Sequence, residues 1–311
     1  MILAEVVRSG FVESVHHGSV VVLDAAGAVV AEAGDVTGTT FPRSSNKPLQ
    51  TVGMLRAGLR TADPADLALI SGSHFGEPFH VARARRILET AGLDESALRC
   101  PASLPLSEDE RDIVLRDGGG ATPILMNCSG KHAGMLATCV ANDWPLEDYR
   151  DAKHPLQVAI AAAVSDLVGE PIAATGIDGC GAPVFGFSLT ALARGFQRLV
   201  EAPPSSFERL VADTMRADPQ LVAGTGQDDT LLMRGVPGLL AKGGAEGVVA
   251  VAVEDVGAVA LKIEDGGMRA RMPVLVSALR RLGVAAPVLE ELATVPILGG
   301  GVRVGEVRTA W

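Results

Sequence analysis

Two Val- and Ala-rich segments late in the chain, Gly247 to Val253 and Gly257 to Ile263, are separated by little more than Glu254 and Asp255. Strands joined so tightly must be antiparallel, because a parallel crossover needs a dozen or more residues. The beginning of the chain has the same character. Ala4 to Val7, Ser19 to Leu23 and Ala28 to Glu32 are Val-rich, and Asp24-Ala-Ala-Gly27 predicts a hairpin turn between the last two. Between the two ends the periodicity is helical. It predicts helices over Ser44 to Gly58, Pro78 to Ala91, Gly130 to Asn142, Pro155 to Val168, Leu189 to Glu201 and Ser205 to Ala217. Pro48 is tolerable in a first turn, and Ala173 to Ile177 reads as a short strand. Met268 to Leu282 adds a helix before a Pro-punctuated tail. The predicted fold is α+β (α/β): one antiparallel sheet built from both chain ends, with a helical region inserted. Strands from about 1–35 and 240–265 make the sheet, and about 78–220 is mostly helical. No repeat, low-complexity run or linker divides residues 1–311, so a single catalytic domain is expected.

Composition narrows the partners. The net charge of −10 argues against a general nucleic-acid surface and against anionic membrane. Aromatics at 4% leave no base-stacking platform. There is no run of about 18 apolar residues to span a bilayer, and Glu5 sits where a secretory signal would be apolar. A soluble, cytoplasmic protein with a small-molecule ligand is expected. Cys100, Cys128, Cys139 and Cys180 are too few for a disulfide scaffold. Buried free thiols are the ordinary reading, with metal binding or catalysis as alternatives.

Arg43-Ser44-Ser45-Asn46-Lys47 contains Ser-x-x-Lys at a predicted helix start, which puts serine and lysine on one face. A serine hydroxyl needs a base to act as a nucleophile, and a lysine of lowered pKa can serve. The same pattern also describes a plain helix cap at Ser44 or Ser45. Two later pieces favour chemistry. Ser71-Gly72-Ser73-His74 follows the apolar run Leu67 to Ile70, and Ala241-Lys242-Gly243-Gly244 precedes the first C-terminal strand. Penicillin-recognising serine enzymes use Ser-x-x-Lys, a second serine motif and Lys-Thr-Gly on a strand, in that order. Here the middle motif departs from Ser-Asp-Asn, and Gly243 stands in place of threonine, where it lets a ligand or another backbone approach. The bland readings are a solvated Lys242 and a turn-capping Ser73.

Asn127-Cys128-Ser129-Gly130-Lys131-His132 and Gly176-Ile177-Asp178-Gly179-Cys180-Gly181 each hold one cysteine among small and polar residues. By spacing alone they read as buried structural cysteines. Cys-x-x-Lys is no zinc signal, since only a neutral lysine can ligate a metal. Asp178 and His132 suit an amino-acid substrate: a carboxylate pairs with an α-ammonium, and Arg43 or a helix N-terminus pairs with an α-carboxylate. A turn-forming Asp-Gly and a core histidine at His132 are the alternatives. His16 and His17 read as surface residues. Gly224-Thr-Gly-Gln-Asp228 lacks a phosphate loop's Gly-Lys-Ser/Thr ending, and the acidic Asp228 and Asp229 would repel phosphate.

These motifs, together with Glu5-Val-Val-Arg-Ser-Gly10 and Arg43-Ser-Ser-Asn-Lys-Pro-Leu-Gln50, run in one order from residue 5 to 244. In that order the chain resembles the Rhizobium-type L-asparaginases, also called asparaginase II. The resemblance implies a serine β-lactamase-like and glutaminase-like fold, a homodimer, and hydrolysis of L-asparagine to L-aspartate and ammonia. It implies two Ser–Lys pairs, Ser44 with Lys47 and Ser73 with Lys242. It also implies a zinc held by Cys128, Lys131 and Cys180 that assists substrate binding, and a substrate pocket shaped by Arg43, His132 and Asp178. Two other readings stay open: a serine–lysine hydrolase of glutamine or a D-amino-acid peptide, and a non-catalytic zinc-dependent amino-acid sensor.

Overall fold

The computed structural model describes residues 1–311. Eleven strands form: β1 (Ile2–Arg8), β2 (Phe11–Asp24), β3 (Val29–Ala33), β4 (Thr39–Thr40), β5 (Ala174–Ile177), β6 (Pro183–Ser188), β7 (Leu239–Gly243), β8 (Val248–Val253), β9 (Gly257–Ile263), β10 (Val295–Gly299) and β11 (Val302–Thr309). The main sheet runs β10-β11-β1-β2-β9-β8-β7, with β3 paired to β2, and every pairing is antiparallel. It is the expected sheet from both chain ends. β2 is long enough to pair β1 with its first half and both β3 and β9 with its second.

Beside the β7 edge lies β8, where Val-Val-Ala-Val-Ala-Val is buried at every position. Such a continuous apolar run, without alternation, means that both faces are covered. The helix Leu189–Glu201 packs on one face against β2, β8 and β9, and the helix Arg271–Arg281 packs on β1, β8, β9 and β11. One continuous core of 79 buried apolar residues joins the sheet to the inserted helices.

The predicted helices form with ends shifted by a residue or two, as Pro78–Thr90, Ser129–Ala141, Pro155–Val168, Leu189–Glu201 and Phe207–Ala217. The structure adds the helices Asp66–Ile70, Glu108–Arg116 and Asp228–Gly235 and the strand β6, and it differs from the expectation elsewhere. The helix predicted from Ser44 opens as a 3₁₀ turn, Arg43–Asn46, and becomes α-helical at Lys47. Lys242 does not precede the first C-terminal strand but lies within β7, a run too short and too mixed to announce itself. The Pro-punctuated tail holds the helix Pro287–Leu292 and the hairpin β10–β11, which completes the edge beside β1. His16 is buried, with Nδ1 2.8 Å from Asp265 and Nε2 3.0 Å from Arg269 Nε, while His17 is exposed. No helix is long and apolar enough to cross a membrane.

Candidate active site

The turn carrying Ser44 begins at Arg43, whose φ of 51° is unusual for a side-chain-bearing residue. Such strain gathers at sites where a backbone must present a group in one direction. It leaves the Ser44 N–H without a backbone acceptor. The end of β7 lies directly against this turn. A Cβ on Gly244 would come within 2.8 Å of the Pro42 carbonyl oxygen and 3.2 Å of the Ser44 nitrogen, so only glycine allows this approach. The next residue, Ala245, also has an N–H without a backbone acceptor. Both Ser44 and Ala245 line one cavity of about 420 Å³, together with Ser73, Asn127, Lys242 and Gly243.

Lys47 is buried one turn after Ser44. Its Nζ donates to the Gly72 carbonyl at 2.5 Å and meets Ser73 Oγ at 2.9 Å. The loop that delivers Ser73 is pinned by Ser73 N–H to the Val222 carbonyl and Phe75 N–H to the Ala223 carbonyl. Gly72 has to be glycine there, since a Cβ would press on the Leu221 and Val222 carbonyls. The hydrogen bond within the cavity therefore joins the first motif's lysine to the second motif's serine. No hydrogen bond links Ser44 to Lys47 or Ser73 to Lys242, although all but Lys47 line the same cavity.

Lys242 is buried and donates to the Gly243 carbonyl at 2.6 Å. Its Nζ lies 3.4 Å from Asp229, whose carboxylate accepts the Gly243 N–H through both oxygens. Burial is the main force on Lys242. Asp229 opposes it, Lys47 and Arg271 add to it, and the amine titrates at about 8. Burial also works against the Asp229 carboxylate, but Lys242, Arg271 and the Gly243 N–H outweigh it and hold its pKa below the usual range. Asp229 was legible in the sequence only as half of an acidic pair. Thirteen residues and a change of element separate it from Lys242, and no motif marks the link.

Behind Asn127 lies a second buried cluster. Lys131 Nζ donates to Cys180 Sγ at 3.1 Å, and the Cys128 thiol lies beside Cys180. The Cys128 thiol and the Lys131 ammonium, against burial, lower the Cys180 pKa. Burial opposes the charge on Lys131, yet the two thiols and Asp178 outweigh it, so its pKa is raised. His132 hydrogen-bonds Tyr149 OH through Nδ1 at 2.6 Å, and burial lowers its pKa. Nowhere in the chain do three His, Cys, Asp or Glu side chains converge at metal-binding spacing. Beside the two thiols, Lys131 is the donor in contact with a sulfur. Two adjacent thiol sulfurs and an amine in contact with one of them form a chemically suitable set for zinc, provided Lys131 gives up its proton.

The other expected substrate residues divide. Gly243 lines the cavity. Arg43 and Asp178 pair with each other at 2.8 Å, and His132 is buried away from the cavity wall. Cys100 and Cys139, also buried and free, have thiols pushed up by burial to about 11 and about 12.

A cavity that gathers two serines and a buried lysine beside two free backbone N–H groups, with a second buried lysine bonded to one of the serines, has the groups that serine hydrolysis requires. The chain belongs to the L-asparaginase II family, whose model matches residues 4–309. It is accordingly an amidohydrolase. No curated protein matches it in sequence. Among solved structures, a β-lactamase from Mycobacterium bovis aligns at 14% identity and a TM-score of 0.48, over 86% of this chain and 95% of that one. Mglu in its glutamate form aligns at 14% identity and 0.47, over 85% of this chain and 61% of its own. The simvastatin synthase of Aspergillus terreus aligns at 13% identity and 0.39, over 79% of this chain and 86% of that one.

Proposed function

We propose that the protein hydrolyses L-asparagine to L-aspartate and ammonia through an acyl-enzyme on Ser44. The observation that carries this reading is the hydrogen bond from Lys47 to Ser73 beside the unbonded hydroxyl of Ser44. Ser44 Oγ attacks the side-chain amide carbon and gives its proton to Lys47. The oxyanion is met by the N–H groups of Ser44 and Ala245, the two left without partners. As the C–N bond breaks, Lys47 passes its proton through Ser73 to the leaving nitrogen, which departs as ammonia. Water then attacks the ester, one proton returns to Ser44, and L-aspartate leaves. A cavity of about 420 Å³ accommodates a free amino acid of this size.

Lys242 would serve this relay as a neutral amine. The rate limb then has a definite sign: kcat/KM for L-asparagine rises with pH as Lys242 loses its proton and levels off above about 8. Asp229 favours the protonated form, so Asp229→Asn should move the limb to lower pH. Rate profiles from pH 5 to 10 for both proteins check this, and an unmoved limb would assign it to another group.

Cys128, Lys131 and Cys180 are proposed to hold a zinc. When bound, it would supply a fixed positive charge behind Asn127 that strengthens substrate binding. His132 and Tyr149 would support the cluster from behind, with Arg43 and Asp178 braced against each other at its edge. Purified protein should contain about one zinc per chain by elemental analysis. Cys128→Ser should lose most of it and raise KM about tenfold or more, with a smaller change in kcat. Metal content equal to that of the wild type would refute this ligand set.

Ammonia release from L-asparagine, with L-glutamine alongside, tests the activity directly; folded, zinc-supplied protein that releases none from either would overturn it. Family kinship also implies a homodimer, which light scattering on the eluting peak would check. Four free buried thiols suit a reducing, cytoplasmic setting.

A further inference from the structure

Arg271 opens the helix Arg271–Arg281, far from every motif noted in the sequence, yet it lines the cavity and is 8% exposed. A buried guanidinium is normally surrounded by acceptors. Here Nη2 donates to Asp228 at 2.8 Å, and that is its one hydrogen bond within the chain. Nε has no acceptor at all. Nη1 lies over Gly243, so close that a Cβ at that position would collide with it. The glycine that replaces threonine in the Lys-Gly-Gly segment thus makes room for an arginine. The next residue, Gly244, packs on the Ser44 nitrogen. The guanidinium therefore sits one residue along β7 from the nucleophile turn.

We propose that Arg271 is the anchor for the α-carboxylate of the substrate, and that residue 243 is glycine so that this guanidinium can reach the cavity. A planar cation in the cavity wall, its buried Nε without an acceptor, is suited to a carboxylate, which can take two N–H bonds at once. The ligand class is an α-amino acid with a free carboxylate and a side-chain amide. Asp228 keeps the guanidinium in its plane from the solvent side. Arg43, one of the groups the sequence offers for this task, pairs with Asp178 and does not line the cavity. The inference deepens the asparaginase reading and rests on it for the identity of the reacting group.

The test compares L-asparagine with L-aspartic acid diamide, which differs only in carrying a carboxamide in place of the α-carboxylate. The wild type should prefer the free acid in kcat/KM, and Arg271→Gln should shrink that preference by about tenfold or more, a loss of the size expected for a charge-assisted contact. Arg271→Lys should keep part of it. Gly243→Ala, which pushes the guanidinium aside without removing it, should move the preference in the same direction. A ratio of the two substrates is unaffected by partial misfolding, so an unchanged preference in Arg271→Gln would overturn the proposal. A protein that hydrolyses neither amide would refute the activity but leave this site readable by binding. L-aspartate and succinamate should then raise the melting temperature of the wild type and not of Arg271→Gln. Absence of stabilisation in the wild type, or equal stabilisation of both proteins, would also overturn it.

Discussion

Ser44→Ala is expected to lower kcat for L-asparagine by about 10⁶-fold, the size of the loss when a serine nucleophile is removed from a hydrolase that retains its oxyanion donors. The fold should be untouched, because the Ser44 hydroxyl makes no hydrogen bond and is only half buried. KM should change little, since binding and the two backbone N–H groups remain. Ser73→Ala is the informative companion. Its hydroxyl holds Lys47 at 2.9 Å, so its loss should cost about 10²-fold through the proton relay. An acyl adduct trapped from a slow substrate and mapped by mass spectrometry separates the roles. Label on Ser73 would reverse the assignment, and the Lys47–Ser73 contact would then be the activating one.

Gly244→Ala should lower kcat by about 10²-fold, although no reacting group is altered. The added methyl meets the Pro42 carbonyl oxygen at 2.8 Å, Ser45 Oγ at 3.1 Å and the Ser44 nitrogen at 3.2 Å. Two of these three are backbone atoms, which yield only if β7 and the nucleophile turn move apart. That separation pulls Ala245 N–H away from Ser44 N–H, and misplacement by about 1 Å is enough to cost two orders of magnitude. Gly120→Ala, which has open space around it, is the control. Equal activity in the two variants would mean that β7 does not set the oxyanion geometry.

The fold was legible where one principle dominates a segment. The tight β8–β9 connection dictated antiparallel pairing, and Ala-rich or capped runs such as Pro155–Val168 declared helices. Segments that depend on tertiary partners were silent. β7 is a strand because it pairs with β8 and is buried throughout, and nothing local in Leu-Leu-Ala-Lys-Gly says so. β11 pairs with β1 across nearly the whole chain length. At the site, the residue types were legible through motifs, but their partners were not. Lys47 reaches the second motif's serine instead of the first's, Lys242 is matched with Asp229, and Arg271 comes from a helix outside every motif. Each of these links joins distant positions, and an amino-acid sequence records spacing, not proximity.

The sheet is closed by its two ends: Ala4 stands opposite Thr309, with every helix of the insert lying between them in the chain. β1 is made before β11, so one of its hydrogen-bonding edges stays open until β11 emerges. Ser44 belongs to the early part and Lys242 to the late part, and β7 reaches the nucleophile turn only after the strands between them are laid down. Loop closure over such separations makes sheet formation the slow event. Catalytic competence is therefore among the last properties the chain acquires, and a nascent chain still short of its C-terminal hairpin has the nucleophile but a sheet that is not yet closed.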